Sequence, residues 1–175
     1  MPPPSIPDPP WVSQYSWGLA LAQEGKLTEA IEHYTTALRI KPDYADAHIN
    51  LGIALAQQGK LAEASEHYQQ ALHSKPDSAD AHTNWGLALT QQGKPAEASD
   101  HYRQALQIKP DHAVAHYNWG NALIQQDKPA EASEHYRQAL QIQPDHAAAQ
   151  SNLLNVLRRL GTGKEDATSS RKRVE

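Results

Sequence analysis

The chain has 175 residues, 16 basic and 20 acidic side chains, a formal net charge of −4 and no cysteine. This length suits one domain or one continuous array of small units. The charge offers no broad basic surface for nucleic acid, and the lack of cysteine excludes disulfides, thiol catalysis and thiolate metal sites. We therefore predict a protein with no nucleic-acid partner and no thiol redox chemistry.

The two ends of the chain differ in composition from its centre. The first residues, MPPPSIPDPPWVS, contain no basic region followed by an apolar one, so we expect no secretory signal there. No apolar run approaches the ~18 to 20 residues that span a bilayer. We expect a cytoplasmic protein without membrane insertion. Residues 1–10 are proline-rich and residues 162–175 are polar and charged, so both are predicted to be disordered.

The central part repeats itself with a period of 34 residues. The stretch AHINLGIALAQQ begins at Ala47, and close copies begin at Ala81 and Ala115. A fixed period of this length is typical of repeat arrays. We predict a capping helix at 147–161 after four repeat units, which are residues 11–44, 45–78, 79–112 and 113–146.

Each unit has the pattern of two helices joined by a tight turn. Apolar residues such as Leu51 recur at helical spacing in the first half. Gly59 follows them, and glycine adopts the backbone conformations that a tight turn needs. The second half has its own apolar stripe and ends before Pro76. In the third and fourth units, Pro95 and Pro129 suit the first turn of a helix, where no N–H is needed.

The residues that recur in every unit resemble the tetratricopeptide repeat (TPR). With Ala45 as position 1, they are glycine at position 8, alanine at 20 and 27, tyrosine at 24 and proline at 32. The resemblance covers residues 11–161. It implies an all-α, right-handed solenoid of antiparallel helix pairs, closed by the capping helix. Asp127 departs from the pattern because it replaces the turn glycine. Aspartate adopts the left-handed backbone conformation at a higher energy than glycine.

The third and fourth units differ at seven places, and four of these lie on one stripe of the first helix. They are positions 2, 5, 9 and 12, which fall within about 80° of one another around a helix. The resemblance implies that this stripe lines a concave groove where ligands bind. The candidate residues that select ligand side chains are Tyr15, Leu19, Ile49, Ile53, Thr83, Leu87, Tyr117, Asn121 and Ile124.

A row of amides runs along the edge of this stripe. An amide both donates and accepts, so it can pair with the main chain of a peptide of any sequence. The row is similar to the asparagine ladder in the repeat array of O-linked N-acetylglucosamine transferases, although we expect no catalytic domain. The alternative is that duplication has copied ordinary solvent-facing residues. The candidate amides are Asn50, Asn84, Asn118 and Asn152 at position 6, and Gln23, Gln57, Gln91 and Gln125 at position 13.

Ten histidines invite a metal-site interpretation, and seven of them fall at positions 4 and 23. Successive repeats lie ~8 to 10 Å apart, whereas zinc needs ~2.0 to 2.1 Å to each nitrogen. We therefore predict half-buried packing residues, with no metal, no cofactor and no catalytic constellation. Groove positions 2, 5 and 6 also lack the lysines and arginine of a carboxylate clamp, whereas Asp46 and Asp80 would suit a cation.

Together these patterns predict a non-enzymatic scaffold that binds an extended or helical peptide of unknown identity in its groove. The alternative is a structural protein that forms homo-oligomers, through its repeat surfaces or through its N-terminal segment docked in a neighbour's groove. Loss of a dimer on deletion of residues 1–10 would favour the alternative. A concentration-independent monomer would exclude it.

Overall fold

The structure of the chain is a computed structural model in which residues 8–171 are described, with side chains described to residue 161. This part of the chain is α-helical and contains no strand. None of its helices is both long and apolar enough to cross a bilayer. The helices are α1 (Pro10–Gln23), α2 (Leu27–Ile40), α3 (Ala45–Gln57), α4 (Leu61–Ser74), α5 (Ala79–Gln91), α6 (Pro95–Ile108), α7 (Ala113–Gln125), α8 (Pro129–Ile142) and α9 (Ala147–Arg171).

The helices pack in chain order as four hairpins and one further helix. α1 packs on α2, α3 on α4, α5 on α6 and α7 on α8. The second helix of each hairpin then contacts the first helix of the next, and α9 packs on α8 where a fifth first helix would lie. The predicted TPR solenoid is therefore confirmed. As predicted, Pro95 and Pro129 are the first residues of α6 and α8.

The core explains the glycine at position 8. The tyrosines at position 24 are the largest fully buried side chains, and none is more than 2% exposed. An added Cβ at Gly120 would lie 2.5 Å from Cε1 of Tyr136, and the corresponding distances at Gly18, Gly52 and Gly86 are 2.6 to 2.7 Å. Glycine is required here because the tyrosine ring of the same hairpin occupies the space that a side chain would fill.

The turn inside each hairpin needs a residue in the left-handed conformation. Gly25, Gly59 and Gly93 have φ between 75° and 78°, and Asp127 has φ 58° in the fourth hairpin. Aspartate tolerates this region better than most residues because its short polar side chain can bond locally. Asp127 also accepts a hydrogen bond of 2.6 Å from Arg159. Its side chain therefore ties the last turn to α9.

Glutamines at position 14 form hydrogen bonds between neighbouring hairpins. Gln92 Nε2 donates to the main-chain oxygen of Leu61 and to the hydroxyl of Ser65, both at 3.0 Å. Gln126 makes the same kind of bonds to Pro95 and Ser99 of the third hairpin, both at 2.9 Å. These residues directly follow the candidate amides at position 13. The sequence pattern alone did not distinguish the two roles.

The two ends of the fold differ from the predicted boundaries. Residues 1–7 of the predicted N-terminal segment lie outside the described residues, and Pro10 already begins α1. α9 ends at Arg171 rather than at residue 161, so it overlaps the predicted disordered tail over 162–171. A formed helix gains a hydrogen bond with each added residue, which lets a polar segment extend it. Residues 172–175 lie outside the described residues.

α9 carries an apolar face that no other described element covers. Leu154 is 51% exposed and Leu157 is 40% exposed. Leu154 occupies position 8, where all four hairpins have glycine. The buried side of α9, which includes Val156 at 5% exposure, faces the fourth hairpin.

Candidate peptide-binding groove

The predicted groove residues belong to the first helices of the hairpins and to the start of α9. The first helices contact one another directly, α1 with α3, α3 with α5 and α5 with α7. Positions that are 34 residues apart in the sequence therefore form adjacent rows on one face. Three cavities lie along this face, which we name the N-terminal, middle and cap cavities.

The N-terminal cavity has a volume of about 450 Å³ and is lined by residues of α1, α3 and α5 and of the start of α7. Ile49 and Thr83 form its floor, since they are only 9% and 3% exposed. Asp46 and Asp80 are exposed at its rim. The other lining residues are Tyr15, Asn50, Ile53, Asn84, His112 and Val114.

The middle and cap cavities share one construction. The middle cavity lies between α3 and α5 beside Tyr68, and the cap cavity lies between α7 and α9 beside Tyr136. The middle cavity has a volume of about 150 Å³ and is lined by Ile53, Gln57, Asn84, Leu87 and Gln91 together with Tyr68. The cap cavity has a volume of about 410 Å³ and is lined by Asn121, Ile124, Gln125 and Asn152 together with Tyr136, Asn155, Val156 and Arg159.

Four predicted groove residues have other surroundings. Leu19 packs against the core of the first two hairpins. The ring of Tyr117 lies 4.6 Å from the ring of His146, measured between centroids. Asn118 is only 8% exposed, whereas Gln23 is exposed at the end of α1. The structure therefore brings most of the predicted residues, but not these four, together around the three cavities.

The asparagines at position 6 do not form a uniform ladder. Asn50 donates to the hydroxyl of Tyr15 at 2.8 Å and to the main-chain oxygen of Asp46 at 3.0 Å, so both of its N–H groups are engaged. Asn84 and Asn118, in contrast, have no side-chain hydrogen bond within the described part of the chain. Only some of these amides are therefore available to a ligand.

The amide of α9 is engaged through a small network. Asn121 Oδ1 accepts from the hydroxyl of Tyr136 at 2.8 Å and from Asn152 Nδ2 at 2.9 Å. Asn121 therefore differs from the apolar residues at position 9 of the other units because it joins α7, α8 and α9. The glutamines at position 13, in contrast, are all exposed.

The N-terminal cavity is acidic. His112 Nε2 lies 3.2 Å from Asp80 Oδ1 but is not aligned for a hydrogen bond. Burial raises the pKa of Tyr15 to about 12, and Tyr44 and Asp46 add to the increase. The Tyr15 hydroxyl therefore stays neutral at pH 7, and the two aspartates set the charge of this cavity.

The histidines pair inside the hairpins rather than between them. Nδ1 of position 4 lies 3.1 to 3.2 Å from Nδ1 of position 23 in the second, third and fourth hairpins. In the first hairpin, Gln14 Oε1 lies 2.7 Å from Nδ1 of His33. One Nδ1 must donate and the other accept, so each histidine pair shares one proton. Over the described residues, no group of three or more His, Cys, Asp or Glu side chains could hold a metal.

Comparison with known proteins agrees with this architecture. A family model for the TPR repeat matches residues 18–59, and two tetratricopeptide repeat models match residues 50–113 and 89–157. The chain belongs to the tetratricopeptide repeat family, whose repeats form scaffolds for protein–protein interaction. No curated protein matches the sequence.

Several solved structures share the fold. A structure of PilF from Pseudomonas aeruginosa is 25% identical, with a TM-score of 0.80 over 93% of this chain and 72% of that one. A structure of MamA is 21% identical, with a TM-score of 0.75 over 86% and 88% of the two chains. The first TPR of Spaghetti (RPAP3), bound to the HSP90 peptide SRMEEVD, is 24% identical, with a TM-score of 0.65 over 67% and 93%. The similarity to the transferase repeat array stays a prediction.

Proposed function

We propose that this chain is a non-enzymatic scaffold whose groove binds a peptide in an extended conformation. The observation that carries this proposal is the row of three cavities on one face, lined by the first helices of the hairpins and, at the end of the row, by α9. Concave sites that combine an apolar lining with a few polar groups are typical of ligand binding. A row of such sites suits a chain-like ligand.

The amides would bind the main chain of this peptide. Asn84 has no hydrogen-bond partner within the described residues, and Gln57 and Gln91 are exposed and line the same middle cavity. Each amide can donate to a peptide carbonyl and accept from a peptide N–H. We do not include Asn50 in this role because Tyr15 and Asp46 engage its donors. We do not include Asn118 because it is only 8% exposed and lines none of the three cavities.

The apolar groove residues would supply most of the affinity. Ile53, Leu87 and Ile124 are partly buried and line the cavities. Full burial of such a side chain is worth ~1.5 to 3 kcal/mol. Two or three of these contacts, offset by the cost of association, support weak to micromolar binding.

The charge of the groove disfavours acidic ligands. Positions 2, 5 and 6 of the first helices carry no lysine or arginine, and Asp46 and Asp80 would repel a carboxylate. The TPR of Spaghetti (RPAP3) is bound to SRMEEVD, which is an acidic peptide. We expect this peptide not to bind the present chain.

The test is a selection of random 16-residue peptides, displayed on phage, against the full chain. We expect peptides to be enriched and to bind the double variant Asn84→Ala, Gln91→Ala about tenfold more weakly, since each lost hydrogen bond is worth ~0.5 to 1.5 kcal/mol. The matched control, Gln69→Ala with Gln104→Ala, removes two exposed amides from the second helices and should bind normally.

Each possible result has a clear meaning. Equal binding by the amide variant and the control would show that the amides do not hold the ligand. If no peptide is enriched, the groove is not a peptide site, and self-assembly becomes the leading function.

A further inference from the structure

The two larger cavities of the groove have opposite chemistry, and this difference defines a ligand. We propose that the bound peptide carries a lysine or arginine in the N-terminal cavity and, about seven residues away, a large apolar side chain in the cap cavity. This inference rests on the proposed function, because it specifies the peptide that the groove binds. It follows from the charge, the free polar atoms and the separation of the two cavities.

The N-terminal cavity fits the side chain of a lysine or arginine along its whole length. Within the described residues, Asp46 has no ion-pair partner, and Asp80 has only His112. Ile53 and the 46% exposed Val114 line the same cavity. Long basic side chains pack their apolar stems against such surfaces while the charged end reaches a carboxylate. A small cation would leave this apolar lining unused.

The cap cavity fits an apolar side chain. Ile124 and Val156 line it, and at its floor Asn121 Oδ1 accepts from both Tyr136 and Asn152. This network leaves Asn121 Nδ2 and Asn152 Oδ1 without a partner among the described residues. One donor and one acceptor beside an apolar cavity match a peptide unit next to a buried side chain.

The charges also fix which end of the groove takes which residue. Arg159 lines the cap cavity and is paired with Asp127. Because this pair is neutral overall, the cap cavity does not attract a lysine or arginine of the ligand, whereas the aspartates at the other end do. The peptide therefore binds in one direction only, with its basic residue over α3 and α5.

The distance between the cavities sets the spacing in the ligand. Asp46 occupies position 2 of α3, whereas Ile124 occupies position 12 of α7, two first helices further along the groove. Ten residues along a helix cover ~15 Å, and two helix-packing distances across the groove cover ~16 to 20 Å. The diagonal of ~22 to 25 Å corresponds to about seven residues of extended chain at ~3.3 Å each.

The test uses the peptides enriched by the phage selection on the full chain. We expect them to share a lysine or arginine and a large apolar residue six to eight positions apart. In a synthetic copy, replacing the basic residue with methionine should weaken binding about fivefold, as expected for loss of one exposed ion pair. The same replacement should have less than a twofold effect on binding to the double variant Asp46→Asn, Asp80→Asn, whose altered side chains are exposed.

The outcomes separate this inference from the proposed function. Enriched peptides that lack the shared spacing, or that lose equal affinity on both proteins, would overturn the inference and leave the groove function standing. Failure to enrich any peptide would overturn both. Replacement of the apolar residue with alanine should weaken binding to both proteins alike, and no weakening would show that the cap cavity stays empty.

Discussion

At the scale of single residues, the contact between the position 8 glycine and the position 24 tyrosine defines each hairpin. The sequence shows both residues in every unit, so their importance could be predicted. Their contact could not, because the repeat pattern does not say which residues of the two helices meet. The structure places the ring where a Cβ would lie, at 2.5 to 2.7 Å.

Adding a methyl group at this contact should therefore destabilise the protein. We expect Gly86→Ala to lower the free energy of unfolding by about 1 to 3 kcal/mol, because the ring of Tyr102 lies 2.7 Å from the new Cβ. Urea unfolding, followed by circular dichroism, measures the change.

Gly161 on α9 provides the matched control. An added Cβ there would meet nothing within 4 Å. Gly161→Ala should stabilise the protein slightly, by up to about 1 kcal/mol, because alanine is the better helix former. Equal effects of the two substitutions would show that helix propensity, and not the tyrosine, decides the glycine at position 8.

At the scale of helices and hairpins, two adjacent glutamines have different tasks. Gln126 bonds to Pro95 and Ser99 of the preceding hairpin, whereas its neighbour Gln125 is exposed at the cap cavity. The sequence could not separate them because both recur in the second, third and fourth units. Only the packing of one hairpin on the next shows which side each amide faces.

Substitution of these neighbours should separate stability from binding. We expect Gln126→Ala to lower the free energy of unfolding by about 0.5 to 1.5 kcal/mol and to leave peptide affinity unchanged. Gln125→Ala should leave stability unchanged and weaken binding. Urea unfolding together with fluorescence anisotropy of a selected peptide measures both. A destabilised Gln125→Ala would contradict the assignment.

The histidine pairs connect the two helices of three hairpins, and they make the fold sensitive to acid. Burial, and secondly the paired histidine, lower the pKa of His101 and His135 to about 4. Glu97 and Asp100 partly oppose the shift at His101. Because the unfolded chain titrates near ~6.5, it binds more protons than the folded chain below that pH. The contribution of these histidines to stability is therefore fully present above pH ~6.5 and is lost as the pH falls towards about 4.

The first hairpin suggests a variant that tests this account. His116→Gln would give His135 the kind of partner that Gln14 gives His33, and it removes one titrating group. We expect the variant to lose less stability than the parent between pH 7 and pH 4.5, measured by urea unfolding at each pH. His73→Gln, at an exposed position outside the pairs, should lose as much as the parent. Identical losses in all three proteins would assign the acid sensitivity to other groups.

At the scale of the whole molecule, the period of 34 residues was enough to predict the order and type of the helices. Packing between first helices explains why residues a full repeat apart, such as Ile49 and Thr83, share one cavity. The sequence could not predict the bonds that differ between repeats. Tyr15 engages Asn50, and Asn121 engages Asn152, because their side chains have the right length across the groove.

The exposed leucines of α9 bear on the alternative of self-assembly. If Leu154 and Leu157 mediate it, the molar mass should rise with protein concentration in analytical ultracentrifugation, since burying both removes apolar area from water. The variant Leu154→Glu, Leu157→Glu should then remain a monomer. A chain that is monomeric at every concentration would exclude this surface, and a variant that still associates would point to the N-terminal segment.

Leu154 also limits how the array can grow by gene duplication. α9 occupies the place of a first helix, but its position 8 carries a leucine where the four hairpins need glycine. A second helix copied from any existing repeat would bring its tyrosine ring onto this leucine. Such a helix could not pack against α9 as the second helices pack in the four hairpins. A duplicated unit can therefore be accommodated before residue 147 but not after α9, so one side chain decides at which end new copies are viable.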